Sequence, residues 1–358
     1  MTRQNLYEKP ELAKLNEAVG KSVEEDKYVS EEIVAFQKSA EIVFDAEIEQ
    51  NLKSLVSESI SENTLKAYLG VLRRLSEFVD INNKTMSVDL LLERLSDLSL
   101  ARYIATLETK GRAPATAQIA IAAVCYMARL RERKSPAGKL TDAAMRGFRR
   151  RCADRGRGQA RGITWTQAEK IVAASLSNPD SLTGIRDAAL ISLMSDAMLR
   201  ISETAALLVS DITEEADGSG RINIRRSKTD QEGRGTVLYL GHPTMTRIKT
   251  WLEVAKVNSG ALFRRVSRGN FQTSWVGEKA LSSLSIRRIL KTRAKQVGIE
   301  GVSGHSLRVG AAQSMAIGGA TLVDMQIAGR WKSAQMPAQY ARYQLAERNA
   351  VARLRYGK

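Results

Sequence analysis

The sequence predicts a mainly α protein, an all-helical bundle followed by an α-rich domain that carries a small antiparallel sheet. Three observations carry that expectation. Apolar residues recur at helical spacing through most of the chain. A strand pattern emerges only late, at residues 221–225 (Arg-Ile-Asn-Ile-Arg) and 236–240 (Thr-Val-Leu-Tyr-Leu). A basic run with interspersed glycines divides the two stretches.

Residues 1–30 are polar and acidic with weak periodicity, and are expected to form a flexible extension. From 30 to 56 apolar positions such as Ile33, Val34, Phe36, Ile42, Val43, Ile48 and Leu52 fall at helical spacing. Ser61 is placed to cap a second helix, with Leu65, Tyr68, Leu69, Leu72 and Leu75 on one face and Lys66, Arg73 and Arg74 on others. Helices follow over 88–95 and 100–109, the latter stopping at Lys110-Gly111. Another starts near Pro114 and carries Ile121, Val124, Cys125 and Ala128 on one face; a short basic helix spans 143–152. With no strand signal before 160, residues 31–150 read as a helical bundle. Residues 151–162 (Arg-Cys-Ala-Asp-Arg-Gly-Arg-Gly-Gln-Ala-Arg-Gly) lack apolar periodicity and read as a linker. In the second domain, 163–358, helices cover 166–175 and 184–198. The two strands then form a hairpin through a glycine-containing stretch at 230–235, and helices continue to the C-terminus.

Composition narrows the function. With 43% hydrophobic and 26% charged residues over 358 positions, the chain is globular and long enough for two cores. No apolar run approaches the roughly 18 residues that span a bilayer, and the first residues lack a secretory apolar core, so a cytoplasmic protein with no membrane partner is expected. Two cysteines, Cys125 and Cys152, and two histidines, His242 and His305, are too few for a disulfide framework, a zinc finger or a His-cluster metal site. His242, before Pro243 at a strand end, reads as a turn residue. The net charge is +16, and it is uneven: residues 1–60 carry −6 and the remainder +22. A body that positive favours a polyanion, because each neutralised phosphate releases counterions. A basic protein that merely associates with ribosomes has the same balance.

Four short segments hold chemistry-bearing residues. In the first, Arg200 is followed three residues on by Glu203, which can hold the guanidinium in one orientation. In the second, Arg226-Ser227-Lys228-Thr229-Asp230, a lysine sits at the proposed hairpin tip. The third, Gly304-His305-Ser306-Leu307-Arg308-Val309-Gly310, places His305 and Arg308 on one helical face. The fourth is Gly329-Arg330-Trp331, with Tyr340 nine residues beyond the tryptophan. Taken singly, each has a plain structural reading: a salt-bridged helix end, a solvated turn, a core aromatic.

As an ordered set, Arg, Lys, His-x-x-Arg, Trp and Tyr resemble the tyrosine recombinase (phage integrase-like) family. The resemblance spans roughly 60–358 and is strongest from 199 to 340. It implies a site-specific recombinase that cuts and rejoins DNA strands through a 3′-phosphotyrosine. Elementary chemistry supports the same roles. In-line attack on a phosphodiester builds negative charge on the non-bridging oxygens, which Arg200 and Arg308 can fork onto while staying charged. His305 can hydrogen-bond the phosphate or take the tyrosine proton, and Trp331 can donate through its indole N–H. Lys228 is the candidate general acid for the departing 5′ oxygen, and Glu203 a supporting residue that orients the arginines or His305. Tyr340 is the candidate nucleophile, with Tyr343 and Tyr356 as competitors; the step from Trp331 and the position of Pro337 favour Tyr340. A phosphotyrosine ester conserves the bond energy, so no cofactor, metal or ATP is expected.

The resemblance also implies base reading from helices laid in the major groove. Candidates are Lys66 and Arg73, then Thr116 and Gln118 on the helix that begins at Pro114, and Arg287 and Arg288, with Arg287 placed like a guanine reader. For each, a phosphate contact or a solvated charge is the reading favoured over base reading. The implied partners are double-stranded DNA with inverted-repeat half-sites and further copies of the chain, a monomer or dimer on one site and a homo-tetramer on two. The C-terminal helix, 345–354, would pack either into a neighbouring protomer or on its own domain. A type IB topoisomerase, or a DNA-binding protein that kept the fold without the chemistry, stays open as an alternative.

Overall fold

The computed structural model describes residues 59–80, 86–156, 158–225, 235–267 and 273–357. The expected helix over 30–56, the acidic extension and Lys228 with its hairpin tip lie outside the described residues. The chain divides into two compact units, Met1–Gly158 and Gln159–Lys358.

Helices are the regular elements of the first unit among its described residues. Its helices are α1 (Glu62–Val79), α2 (Val88–Arg94), α3 (Asp97–Thr109), α4 (Pro114–Leu130) and α5 (Lys139–Arg151). Ser61 caps α1 by accepting from the Thr64 amide, and Pro114 opens α4 where a missing N–H costs nothing. The apolar faces meet in one core that includes Leu72, Leu75, Leu91, Ile104, Val124 and Phe148. Cys152, expected in the linker, is buried in this core.

The start of α5, four residues earlier than the sequence suggested, is explained by a carboxylate from another helix. Asp97 accepts from the amides of Gly138 (2.9 Å), Leu140 (2.9 Å) and Thr141 (2.8 Å) and from the Thr141 hydroxyl (2.6 Å). The Thr141 hydroxyl, then these amides, bring the Asp97 carboxyl down to about 2. With the folded value depressed, the stabilisation is complete above the ordinary carboxylate range, near about 4, and is lost as pH falls through about 2. Asp97→Ala is therefore expected to melt at lower temperature at neutral pH and to lose less of its stability between these limits. Thermal melts followed by circular dichroism at stepped pH check this.

The second unit is built around α7 (Leu182–Asp196), buried at every position from Gly184 to Ser195. Around it lie α6 (Trp165–Ser175), α8 (Ile201–Ala206), α9 (His242–Val254), α10 (Ser283–Gln296) and α11 (Ser306–Ile317). The expected hairpin strands are β2 (Gly220–Ile224) and β3 (Thr236–Leu240), antiparallel with Ile222 opposite Leu238. The short strand β1 (Ile212–Glu214) pairs on the other side of β2. The expectation of helices alone after residue 240 needs correction. A second antiparallel pair, β4 (Arg264–Val266) and β5 (Val276–Ala280), follows α9. Its strands are short and hold Arg264, Arg265, Glu278 and Lys279, so no apolar alternation announces them.

A buried ion network ties these elements. Arg186 donates to Asp187 Oδ1 through Nε (2.9 Å) and Nη2 (2.7 Å) and to the Arg264 carbonyl, while Arg293 of α10 donates to Asp187 Oδ2 (2.8 Å). Asp187→Ala would strand two guanidiniums, so a loss of about 3–5 kcal/mol is expected, measurable by denaturant titration.

The C-terminal part forms its own small core from Met198, Ala311, Ala312, Ala316, Met325, Trp331 and Ala341. It joins α11 to α12 (Leu322–Gly329), α13 (Gln335–Tyr340) and α14 (Arg342–Ala346), with α15 (Ala350–Tyr356) beyond. The single helix expected over 345–354 is thus broken. Between the two pieces Arg348 turns to donate to the Ala316 carbonyl (2.6 Å), and Asn349 accepts from the Ala352 amide (2.9 Å) to start the last helix. Among the described residues no helix is long and apolar enough to cross a membrane.

Candidate active site

Arg200 stands at the N-cap of α8, just after the left-handed turn at Met198 (φ 49°). Glu203, three residues into that helix, reaches back to the Arg200 amide (2.9 Å) and accepts from Arg200 Nη1 (2.6 Å). A cap residue followed at this spacing by a glutamate is a known local pairing, here with an arginine side chain added. The Glu203 side chain is 2% exposed and Arg200 13%, so the pair is held away from bulk water.

Arg308 lies in the first turn of α11 and is buried. Its guanidinium donates to the Met198 carbonyl (2.5 Å) and to the Gly329 carbonyl, and its carbon centre sits 4.7 Å from the Trp331 ring centroid. Trp331, also buried, meets the Tyr340 ring edge-on with centroids 5.7 Å apart. The indole packs on the main chain of Gly329, where any Cβ would overlap the ring. Tyr340, half-buried, ends α13. Its backbone carbonyl accepts from two side-chain amides, Gln159 (3.0 Å) and Gln313 of α11 (3.4 Å).

Arg330 completes the group. It sits in the left-handed region (φ 52°), which costs a non-glycine residue about 1–2 kcal/mol. It donates to the carbonyls of Ala197 (3.1 Å) and Met198 (3.3 Å) and to Glu203 Oε2 (2.8 Å). Two guanidiniums, Arg200 and Arg330, therefore share one carboxylate, and Arg308 lies within electrostatic reach of all three. Burial, then the nearby charges of Arg200 and Arg330, push Arg308 down to about 9, against the opposing pull of Glu203 and Tyr340. Burial is also the main cause that lowers Arg330. Arginines destabilised first by burial and then by neighbours of like charge form a site that an anion would relieve.

The structure brings five of the sequence candidates together: Arg200, Glu203, Arg308, Trp331 and Tyr340. His305 stands at the N-cap of α11 and is exposed, three residues before buried Arg308. Of the DNA-reading candidates, Lys66, Arg73, Gln118, Arg287 and Arg288 are exposed and Thr116 is half-buried. Gln118 accepts from Arg149 of α5. Sequence reasoning gave no role to Arg330, Gln159 or Gln313. Arg330 stood within a quoted segment, but nothing in residue spacing marks a left-handed arginine. Among the described residues no group of three or more His, Cys, Asp or Glu could hold a metal ion.

The model of the phage integrase family matches residues 161–347. Recombinase cre of Escherichia phage P1 is 26% identical over 323 residues, covering 86% of this chain and 92% of that protein. An integrase/recombinase xerD homolog of Selenomonas ruminantium is 27% identical over 318 residues, covering 85% and 88%. Among solved structures, XerH site-specific recombinase bound to a palindromic difH substrate shares the fold with a TM-score of 0.55 at 17% identity, over 82% of this chain and 90% of that one. A lambda integrase tetramer bound to a Holliday junction gives 0.54 at 18%, over 82% and 75%. With the family model spanning more than half its length, and with the ordered Arg, His-x-x-Arg, Trp and Tyr inside the match, the chain belongs to the phage integrase family and is a tyrosine recombinase.

Proposed function

We propose that the chain is a site-specific DNA recombinase that cleaves and rejoins strands through a 3′-phosphotyrosine on Tyr340, without metal or ATP. The observation that carries this reading is the undercompensated arginine cluster beside the Trp331–Tyr340 pair: two guanidiniums sharing one carboxylate, with a third, Arg308, stacked on the tryptophan that meets the phenol.

In this reading the scissile phosphate is held by Arg200 and Arg308, with the Trp331 indole as a further donor. The Tyr340 oxygen forms a bond to phosphorus as the bond to the 5′ oxygen breaks. Lys228 supplies the proton to that leaving oxygen, and His305 takes the phenolic proton or hydrogen-bonds the phosphate. Attack by a free 5′ hydroxyl reverses the step and rejoins the strand. Glu203 holds Arg200 in place. Lys66, Arg73, Thr116, Gln118, Arg287 and Arg288 contact DNA, the exposed cations through phosphates or base edges. The substrate is double-stranded DNA with inverted-repeat half-sites, bound by one or two copies per site and by four on two sites. The XerH structure with a palindromic substrate and the lambda integrase tetramer on a junction motivate that assembly.

The test is incubation with candidate sites nicked near the cleavage point, so that the short 5′-hydroxyl fragment diffuses away and the covalent complex accumulates. A protein–DNA adduct that survives denaturing electrophoresis, carried on the 3′ end of the cut strand, is expected. An adduct on the 5′ end, or cutting that leaves no adduct, would overturn the reading.

A further inference from the structure

We infer that Arg330 is a positioning residue of this cleavage site: it shares the Glu203 carboxylate with Arg200, and so fixes the pose of Arg200 while leaving the phosphate-binding cluster short of negative charge. The inference rests on the recombinase reading above.

Its hydrogen bonds bracket Arg200 in the chain. Ala197 and Met198, whose carbonyls accept from Arg330, immediately precede the Leu199-Arg200 step, and Glu203 follows it. Two left-handed residues, Met198 and Arg330, face each other across these bonds. The Arg330 side chain is 7% exposed, and its Nε is buried with no hydrogen-bond partner. An arginine kept in a backbone conformation suited to glycine, and buried with one donor unmet, must be held by what its other donors do. A neutral amide could serve the two carbonyls. The second oxygen of Glu203 already accepts from the Arg200 amide, and Arg330 adds a charged donor to it, while the first oxygen is taken by the Arg200 guanidinium. Without Arg330, Arg200 and Glu203 would form a closed neutral pair, with the second carboxylate oxygen held by the Arg200 amide alone. With it, the carboxylate is divided and Arg200 keeps charge to offer a phosphate.

The test measures single-turnover formation of the covalent adduct on a nicked site, at protein concentrations that saturate the DNA, with affinity measured separately. Arg330→Met is expected to slow adduct formation by about 10- to 100-fold while DNA affinity holds, since a displaced orienting group acts on the chemical step. Arg330→Lys, which keeps the charge but only one donor position, is expected to fall between parent and Met. Arg330→Gly removes the backbone cost, so it is expected to melt no lower than Arg330→Met and still to cleave slowly. If Arg330→Met does not fold, the Gly and Lys variants carry the same comparison. In a Glu203→Gln background, Arg330→Met is expected to add little, because the shared partner is gone. Parent-like cleavage by Arg330→Met or Arg330→Gly would overturn the inference alone. So would a defect that vanishes when more protein is added. A parent that forms no adduct at all would bring down the recombinase reading and this inference with it.

Discussion

Tyr340→Phe is expected to abolish the covalent adduct on nicked DNA, a loss of at least about 10³-fold given that removing a nucleophile eliminates its intermediate. Binding to the same DNA should persist. The surroundings of Tyr340 explain why this phenol, and not its neighbours, carries the expectation. Its ring leans edge-on against buried Trp331, and its carbonyl is pinned by Gln159 and Gln313. Tyr343 is 64% exposed, with Arg342 stacked on its ring and donating to its hydroxyl (3.0 Å). Tyr356 is as exposed, on the terminal helix. Tyr343→Phe should therefore still form the adduct. The opposite pattern, with Tyr343→Phe inactive and Tyr340→Phe active, would reassign the nucleophile.

Arg308→Met should lower cleavage by about 10²–10³-fold or more, the usual effect of removing one donor from a charge-stabilising site. Its effect on folding is expected to be opposite in kind. Burial and the repulsion of Arg200 and Arg330 bring Arg308 from its ordinary value down to about 9. A base depressed in the folded state binds fewer protons there than in the unfolded chain, so stability rises with pH from about 9 upward and the full penalty is present at pH 7. Removing the charge lifts that penalty. Against it, the Gly329 carbonyl loses a donor and Trp331 loses its cation, whereas Met198 keeps Arg330. These terms are of similar size, so the variant is expected to melt at or above the parent temperature without DNA. Sulfate should raise the parent melting temperature and raise that of Arg308→Met less. A variant that melts far below the parent would make Arg308 a structural residue.

Much of this architecture is legible before any coordinates. Ser61, Pro114 and the hairpin strands are local signals, and local physics suffices to read them. Arg200 and Glu203 are three apart, so their pairing is also written in the spacing. What escaped depends on distant partners or on backbone state. The start of α5 is set by Asp97, forty-odd residues away, and β4 and β5 pair through charged segments without a period-two pattern. The spacing of His305 and Arg308 did not tell which of the two is buried: the helix begins just after His305, which is exposed at its N-cap, while Arg308 in its first turn is buried. The break at Arg348 arises from a bond to Ala316, and Arg330 becomes visible only when its left-handed backbone turns it toward Glu203.

The approach of Ile163 to α11 bears on how such enzymes can be re-engineered. At Gly310 the helix has no side chain, and a Cβ there would overlap the Ile163 backbone; the Ile163 amide donates to the Ser306 carbonyl (2.9 Å) and the Trp165 amide to the Ser314 hydroxyl (3.0 Å). The segment that enters the second unit is thereby laced along the helix bearing Arg308, and Gln159, at its beginning, grips the residue proposed to attack DNA. A chimera that grafts a foreign helical bundle onto the second unit should place its junction before Gln159. A crossover only a few residues later would keep every residue of the proposed reaction centre from Arg200 to Tyr340 and still cut one of the two ties on the tyrosine.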